Sequence, residues 1–115
     1  MNRGDLVVVD FRATVPKAGV RPALVVQNDR DNARMSNIIV VQITTTIRRM
    51  TQDTQLLIDA NHPDWSRSGL RRHSVVNCSN IYTIEQRDVA RTIGSLSVTT
   101  MQAIDRCLKI ALGIA

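Results

Sequence analysis

Short runs of apolar residues recur through the first 95 residues and are separated by polar turn signals. Val, Ile and Thr together supply 34 of the 115 residues. Such runs favour β-strands, because branched side chains pack well on a pleated surface. Six or seven strands are therefore predicted, over residues 6–11, 23–27, 37–44, 54–58, 74–77, 80–84 and 92–96.

The polar segments between these runs are predicted to be loops and turns. Residues 28–32 are all polar and four of them are Asn or Asp, side chains that hydrogen-bond their own backbone in turns. Residues 12–20 and 59–72 are expected to be irregular. Residues 45–52 fit either an extension of the third strand or a loop.

Only the end of the chain has helical periodicity. One face of a helix would carry Met101, Ile104, Leu108, Ala111 and Leu112. Ser97 is the predicted N-cap, and Gly113 stands where a C-terminal stop belongs. The pattern predicts a mainly β fold, a small curved β-barrel with a C-terminal α-helix, formed by a single domain over residues 1–115.

Composition places the chain among soluble globular proteins. Apolar residues make up 43% and charged residues 22%, which excludes intrinsic disorder, and no apolar run approaches the length of a membrane span. Because Met1 is not followed by an apolar segment, no secretory signal is predicted and the cytoplasm is the expected location. Cys78 and Cys107 are predicted to be buried small hydrophobic residues.

The charge is basic and almost entirely carried by arginine. The net charge is +5, and the chain has 13 Arg against 2 Lys. Guanidinium groups match phosphate geometry and stack on bases, so a polyanion partner is one interpretation; a solvated surface with compositional Arg bias is the other. Three aromatic residues are too few for the stacking platforms of common RNA-binding modules.

Several kinds of catalytic site are not supported by the motifs. Neither glycine-rich phosphate-binding pattern occurs, no nucleophile elbow is present, and His62 and His73 lack the spacing of zinc ligands. What remains is Arg21 before one apolar strand and Thr44 at the end of another. These groups suit a phosphate that gains charge during transfer, although an ordinary ion pair and a β-propensity threonine are the simpler explanation from these residues alone.

Longer blocks of the sequence resemble one known family. The blocks are Arg3-Gly4-Asp5, Gly19-Val20-Arg21-Pro22-Ala23-Leu24-Val25-Val26-Gln27-Asn28-Asp29, Gln42-Ile43-Thr44, Ser74-Val75-Val76, Tyr82-Thr83-Ile84, and the tail from Ile93-Gly94 to Leu112-Gly113. In this order they resemble the MazF/PemK (Kid) family of mRNA interferases, the toxins of toxin–antitoxin pairs. The resemblance extends over nearly the whole chain.

The resemblance implies both a fold and an activity. It implies an SH3-like barrel, a homodimer, and a cognate antitoxin with an acidic C-terminal tail. It also implies a sequence-specific, ribosome-independent endoribonuclease that cleaves single-stranded RNA without a metal or other cofactor. In that reaction the 2′-hydroxyl attacks the adjacent phosphate.

By position, the resemblance makes Arg21 the catalytic arginine and Thr44 its threonine partner. Two departures leave the proton acceptor open. The loop over residues 16–19 lacks the Glu found in some members, and residues 77–80 read Asn-Cys-Ser-Asn where Kid-like members have Arg-Cys-Asp-Gln. His73 is a candidate proton acceptor, because an imidazole can take up a proton near neutral pH, and a surface-loop histidine is the alternative.

The predicted RNA groove combines basic, hydroxyl and amide side chains. Its predicted members are Lys17, Thr45, Thr46, Arg48, Arg49, Asn77, Ser79, Asn80 and Tyr82. Two alternatives remain at this point: a non-catalytic toxin on the same barrel that acts through a protein such as DNA gyrase, and a barrel that binds RNA without cleaving it.

Overall fold

The computed structural model describes residues 1–114 and contains six strands and three α-helices within that range. The strands are β1 (Asp5–Asp10), β2 (Val20–Val25), β3 (Asn37–Thr44), β4 (Gln55–Ile58), β5 (Ser74–Glu85) and β6 (Val89–Ser95). The helices are α1 (Asp29–Arg34), α2 (Trp65–Ser68) and α3 (Val98–Leu112), and 3₁₀ turns occur at Phe11–Ala13 and Gln86–Asp88. The predicted mainly β class with a C-terminal helix is confirmed.

The strands form one antiparallel sheet in the order β4-β5-β3-β2-β1-β6. The sheet is curved like a barrel, but within residues 1–114 its edge strands β4 and β6 do not pair with each other. The predicted barrel is therefore an open, curved sheet. No helix in the described part of the chain is long and apolar enough to cross a membrane.

Both faces of the sheet are buried, which explains why the apolar runs are continuous rather than alternating. Successive strand residues point to opposite faces, so Leu6 enters one core cluster while Val7 and Val9 enter the other. Helix α3 covers the first cluster through Met101 and Ile104. The second is enclosed by strands together with Phe11.

Helix α3 begins and ends as the sequence predicts. The Oγ of Ser97 accepts a hydrogen bond from the Thr100 N–H at 3.2 Å, which satisfies one free backbone donor of the first turn. Gly113 has a φ of 69°, the left-handed conformation that ends a helix at low steric cost. Of the predicted apolar face, Met101, Ile104, Leu108 and Ala111 pack in the core cluster or against it, whereas Leu112 is exposed because it lies at the last turn of the helix, beyond the sheet contact.

The segment over residues 28–32, predicted to be a turn, is instead the start of helix α1. The side chain of Asn28 accepts from the Asp31 N–H at 2.9 Å and caps this helix. Asn32 is buried and donates from Nδ2 to the Gln27 backbone carbonyl at 2.9 Å. The local Asx bonds therefore initiate a helix. The hydrogen bond from the buried Asn32 amide holds that helix against the segment that follows β2.

The bounds of three strands also differ from those predicted. Strand β2 begins at Val20, so Arg21 lies within the strand, opposite Val9 on β1. The two strands predicted over 74–77 and 80–84 are one strand, β5. Its pairing with β3 contains a bulge, because Val41 pairs with Ile81 whereas the next residue, Gln42, pairs with Asn77. Strand β6 begins at Val89, three residues earlier than the predicted 92.

The two cysteines are buried as predicted. Cys78 and Cys107 both belong to the cluster under helix α3. Burial raises the pKa of the Cys78 thiol to about 12, and the neighbouring Cys107 adds to the effect. Burial also raises the pKa of Cys107. Both side chains therefore stay protonated at neutral pH, which suits small core residues.

Candidate active site and RNA groove

Arg21 is the only charged side chain on strand β2. The Arg21 Nε donates to the Ala18 backbone carbonyl at 2.8 Å, in the loop that connects β1 to β2. Neither terminal nitrogen of this guanidinium donates to a partner within residues 1–114, and the side chain is exposed. The loop carbonyl thus orients the guanidinium while both Nη groups remain available to a ligand.

Thr44 ends the adjacent strand β3. The antiparallel register pairs Ala23 with Gln42, and continuing it by two residues sets Thr44 opposite Arg21 on the same face of the sheet. The Thr44 Oγ1 accepts from the Thr46 N–H at 3.1 Å. A hydroxyl that accepts in this way keeps its own proton for donation to a third group.

Arg21 and Thr44 line one cavity of about 420 Å³, hereafter the Arg21 cavity. Its walls are formed by Phe11, Ala18, Arg21, Pro22, Gln42, Ile43, Thr44, Thr45, Thr46, Ser74 and Tyr82. The structure therefore brings together five of the predicted site residues, which are Arg21, Thr44, Thr45, Thr46 and Tyr82. None of the described residues that line this cavity is a carboxylate or a histidine.

A second cavity of about 300 Å³, hereafter the amide cavity, adjoins the first. It is lined by Gln42, Thr44, Thr46, Arg48, Arg49, Gln55, Asn77 and Asn80. Because Gln42, Thr44 and Thr46 line both cavities, the two form a continuous groove. Arg48 and Arg49 are exposed at its rim, and neither forms an ion pair with any residue of the described chain.

Four amide side chains are hydrogen-bonded to one another in the amide cavity. Gln42 Oε1 accepts from Asn80 Nδ2 at 2.7 Å and from Asn77 Nδ2 at 3.4 Å. Asn77 Oδ1 accepts from Gln55 Nε2 at 2.8 Å. The β5 bulge makes this cluster possible, because it sets both Asn77 and Asn80 beside Gln42 although three positions separate them.

Tyr82 is held at the wall of the Arg21 cavity by an aromatic neighbour. The ring centroids of Tyr82 and Phe11 are 5.3 Å apart and the rings are tilted by 58°. Phe11 is buried in the second core cluster, and Tyr82 packs against that cluster while lining the cavity. A fixed aromatic ring beside a phosphate-binding group is a platform on which one base can stack.

Three predicted site residues lie outside this groove. Lys17 and Ser79 are exposed and line neither cavity. His73 lines a separate cavity of about 590 Å³ together with Trp65, Arg71 and other residues. Only its neighbour Ser74 reaches the Arg21 cavity. The structure therefore does not bring His73 together with Arg21.

Sequence reasoning missed Gln42, Gln55 and Phe11 as groove residues. Gln42 carried a usable signal, since it lies two positions before Thr44 and strand residues two apart share a face. Gln55 and Phe11 carried none, because their places in the groove depend on the pairing of β4 with β5 and on the 3₁₀ turn after β1. Within residues 1–114 no cluster of His, Cys, Asp or Glu side chains is arranged to hold a metal ion.

The fold and the groove define a small basic β-domain whose groove combines arginine, threonine and amide side chains. Residues 2–112 match the family of PemK-like, MazF-like toxins of type II toxin–antitoxin systems. The chain is 34% identical to Endoribonuclease EndoA of Bacillus subtilis (strain 168), over 99% of this chain and 96% of that protein. This chain therefore belongs to the PemK-like, MazF-like toxin family.

Solved structures agree with that assignment. An endoribonuclease from a mycobacterial species, determined in complex with its cognate antitoxin, superposes with a TM-score of 0.79 at 27% identity, covering 100% of this chain and 97% of that one. The Mycobacterium tuberculosis toxin MazF-mt6 superposes with a TM-score of 0.79 at 25% identity, covering 96% of this chain and 98% of that one. The shared fold extends over the whole described sheet and helix α3.

Proposed function

We propose that this MazF-like endoribonuclease toxin cleaves single-stranded mRNA at specific sequences, independently of ribosomes and of metal ions. One observation carries the proposal: an oriented guanidinium and a threonine hydroxyl line the same cavity, which adjoins a second cavity lined by polar and arginine side chains. Both groups keep donors that have no partner in the described chain.

Arg21 stabilises the charge that builds on the phosphate. Its two Nη groups can donate in parallel to the non-bridging oxygens, because Nε is already held by the Ala18 carbonyl. As the phosphorus gains a fifth oxygen, negative charge on those oxygens increases. Donors that are oriented in advance stabilise this transition state more than the ground state.

Thr44 assists Arg21 as a neutral donor. Its Oγ1 is oriented by the Thr46 N–H, so its own proton is directed to a third group. In the proposed complex that group is an oxygen of the scissile phosphate. A neutral hydroxyl supplies a weaker hydrogen bond than a guanidinium, so Thr44 has the smaller role.

The proposed reaction is an internal transfer. The ribose 2′-oxygen forms a bond to phosphorus while the bond from phosphorus to the 5′-oxygen breaks, leaving a cyclic phosphate and a 5′-hydroxyl. The 2′-hydroxyl proton passes to an acceptor, and the departing 5′-oxygen gains a proton. Because no carboxylate or histidine lines the Arg21 cavity within the described chain, the acceptor is either water or a group such as His73 brought nearer by the substrate.

The groove binds the RNA on both sides of the scissile phosphate. Arg48 and Arg49 attract the backbone, since they have no acidic partner among residues 1–114. Thr45 and Thr46 supply hydroxyls near the phosphate, and Tyr82 supplies a stacking surface. For Lys17 and Ser79, which lie outside both cavities, contact with more distant nucleotides stays a prediction.

The proposed partners are single-stranded RNA, a second copy of this chain and a cognate antitoxin with an acidic C-terminal tail. The net charge of +5 supports an acidic partner. The similar mycobacterial endoribonuclease was determined in complex with its cognate antitoxin, which supports the same arrangement here. The cytoplasm, where mRNA is found, is the proposed location.

One observation favours a second candidate, a non-catalytic toxin that acts on a protein such as DNA gyrase. The Arg21 cavity lacks a carboxylate or histidine among its described lining residues, so no side chain there is an evident proton acceptor. Cleavage of a long RNA separates the candidates. We expect new 5′-hydroxyl ends at a recurring sequence, with equal yield in the presence of a chelator. Intact RNA would exclude the endoribonuclease assignment, and loss of cleavage with chelator would exclude metal independence.

A further inference from the structure

The four hydrogen-bonded amides of the amide cavity have a fixed polarity. An amide side chain can usually be turned over, which exchanges its donor and acceptor ends. Here a backbone group removes that ambiguity. The Ser79 N–H donates to Asn77 Oδ1 at 3.0 Å, and a backbone N–H can only donate. The acceptor end of Asn77 is therefore assigned by chemistry.

This assignment fixes the orientation of Gln42 and Asn80 in turn. With its oxygen turned to Ser79, Asn77 must present Nδ2 to Gln42, so the Gln42 atom that faces it is the oxygen. The same oxygen accepts from Asn80 Nδ2 at 2.7 Å. One backbone N–H on the β5 bulge thus orients three side-chain amides.

The ends left over are one donor and one acceptor, on two side chains that line the same cavity. Gln42 Nε2 and Asn80 Oδ1 have no hydrogen-bond partner within residues 1–114. No buried side-chain nitrogen or oxygen in the described chain lacks a partner, so both atoms are open to solvent in the groove. Together they present one donor and one acceptor of set polarity.

We propose that Gln42 and Asn80 read one base of the RNA, and that Asn77 is the positioning residue that sets which class of base they accept. This rests on the proposed endoribonuclease function. On the base edge, adenine and cytosine carry an exocyclic donor beside a ring acceptor, whereas guanine and uracil carry an exocyclic acceptor beside a ring donor. For a base held in one orientation, a fixed donor–acceptor pair accepts one class and rejects the other.

Asn77→Asp tests the polarity directly. A carboxylate still accepts from the Ser79 N–H and from Gln55, but it cannot donate to Gln42 Oε1. Gln42 then turns its Nε2 toward residue 77, and Asn80 turns to accept from that nitrogen. The groove now presents an acceptor from Gln42 and a donor from Asn80, which is the reverse of the original pair.

The readout is the base preference at each position of the cleaved sequence. Wild-type protein and Asn77→Asp are incubated with a randomised RNA library, and the 5′-hydroxyl ends are mapped. At one nucleotide we expect the variant to prefer the opposite class of base. The ratio of cleavage at the amino bases, adenine and cytosine, to cleavage at the keto bases, guanine and uracil, should change by about ten-fold or more. Other positions should keep their preference. Comparing bases within one variant removes the general effect of the added charge on RNA binding.

Gln42→Glu is the second variant, in case Asn77→Asp does not fold. The carboxylate that this substitution introduces can only accept. The preference at the same nucleotide should therefore shift toward bases that present a donor to residue 42, which is the same direction as in Asn77→Asp. The control is Gln102→Glu, the same chemical change at an exposed position of α3, which should cleave with the wild-type preference.

The possible outcomes separate the two proposals. Cleavage by both folded variants with an unchanged base preference overturns the polarity proposal alone. Loss of all cleavage in both folded variants also overturns it, because each altered pair must still accept a base. If the wild-type chain cleaves no RNA, the proposed function fails and the reading of a base fails with it.

Discussion

At the scale of single residues, the groups that the site can offer to a ligand depend on which hydrogen-bond donors are already paired within the chain. Arg21 uses Nε to hold the Ala18 carbonyl, and Thr44 uses a lone pair to accept from Thr46. Each bond orients the side chain without consuming the donor that a phosphate needs. We therefore predict separable effects of the two residues on cleavage.

Arg21→Ala should leave the fold intact and reduce the cleavage rate by about 10² to 10³, the usual cost of one transition-state donor. Arg21→Lys should restore little, because an ammonium group cannot donate in parallel to two phosphate oxygens while also holding the Ala18 carbonyl. Thr44→Ala should cost less, and Thr44→Ser should recover most of the loss. Single-turnover rates on an oligonucleotide that contains the cleaved sequence provide the measurement.

Arg30→Ala is the matched control, since it removes the same charge from an exposed position on helix α1. It should retain nearly full activity. A folded Arg21→Ala protein that cleaves at the wild-type rate would show that the catalytic site is not at the start of β2.

His73→Ala tests the proton acceptor. Because His73 lines a different cavity from Arg21, we expect the pH–rate profile of the variant to keep the acidic limb of the wild-type profile. If that limb is lost while the fold is retained, His73 is the acceptor, and the substrate must bring it within reach of the 2′-hydroxyl.

At the scale of elements, one buried carboxylate connects the long loop after β4 to helix α3. Asp64 Oδ2 accepts from the Ser97 N–H at 2.8 Å and from the Ser97 hydroxyl at 2.9 Å. Burial by itself raises the pKa of Asp64, but the hydrogen bonds from Ser97 and Thr100 together lower it below the ordinary value. The ionised form is therefore favoured in the folded protein.

The sign of this pKa shift sets a pH dependence. A carboxyl group with a lowered folded pKa stabilises the protein above its unfolded pKa, near ~3.9, and the contribution is lost as the pH falls through the folded value. At pH 7 Asp64→Asn should lower the free energy of unfolding by about 1 kcal/mol, since charged acceptors form stronger hydrogen bonds. Urea denaturation should show a smaller difference in the free energy of unfolding between the variant and the wild-type protein at pH 3 than at pH 7.

Asp53→Asn is the control, because Asp53 is exposed and its side chain forms no hydrogen bond within the described chain. Its stability should follow the wild-type protein at both pH values. An Asp64→Asn protein with the same deficit at pH 3 as at pH 7 would show that the loss comes from packing and not from charge.

At the scale of the whole molecule, we predict that arginine charge governs encounters with RNA. Binding to an uncleavable RNA, with a 2′-deoxyribose at the cleavage position, should weaken steeply with salt. Single strands lose affinity with a logarithmic slope of about −0.7 per neutralised phosphate. Arg48→Ala should reduce the slope, because it removes one unpaired cation from the groove. Filter binding across a salt series provides the slope, and a flat profile would contradict an electrostatic groove.

The same surface charge predicts competition by the antitoxin. A peptide with the acidic tail of the cognate antitoxin should displace the RNA, with a salt dependence of the same sign. Simultaneous binding of peptide and RNA would place the antitoxin on a different surface.

We also predict a homodimer. Helix α3 exposes Ile110 and Leu112, with 53% and 57% of their surface accessible in the single chain. The aromatic side chains give no support to a dimer, because Trp65 and Tyr82 already pack against core clusters of the same chain and do not need a second copy to cover them. Light scattering should give twice the chain mass of 12.8 kDa. A single 12.8 kDa species at micromolar concentration would contradict the dimer.

The sequence alone determined the fold class and helix α3 with both caps, and its resemblance to a known family selected Arg21 and Thr44 as candidate site residues. The fold class and the helix follow from local patterns: continuous branched runs and a period of 3.6. A local cap needs only neighbours in sequence, which is why Ser97 and Gly113 could be predicted.

Tertiary structure alone decided which side chains meet. The placement of Thr44 opposite Arg21 requires the register of β2 on β3. The amide cluster requires the bulge in β5, which in the sequence looks like a gap between two separate strands. His73 shows the same limit, because it is one residue from Ser74 and yet lines another cavity. Adjacent strand residues point to opposite faces, so nearness in sequence does not determine nearness in the site.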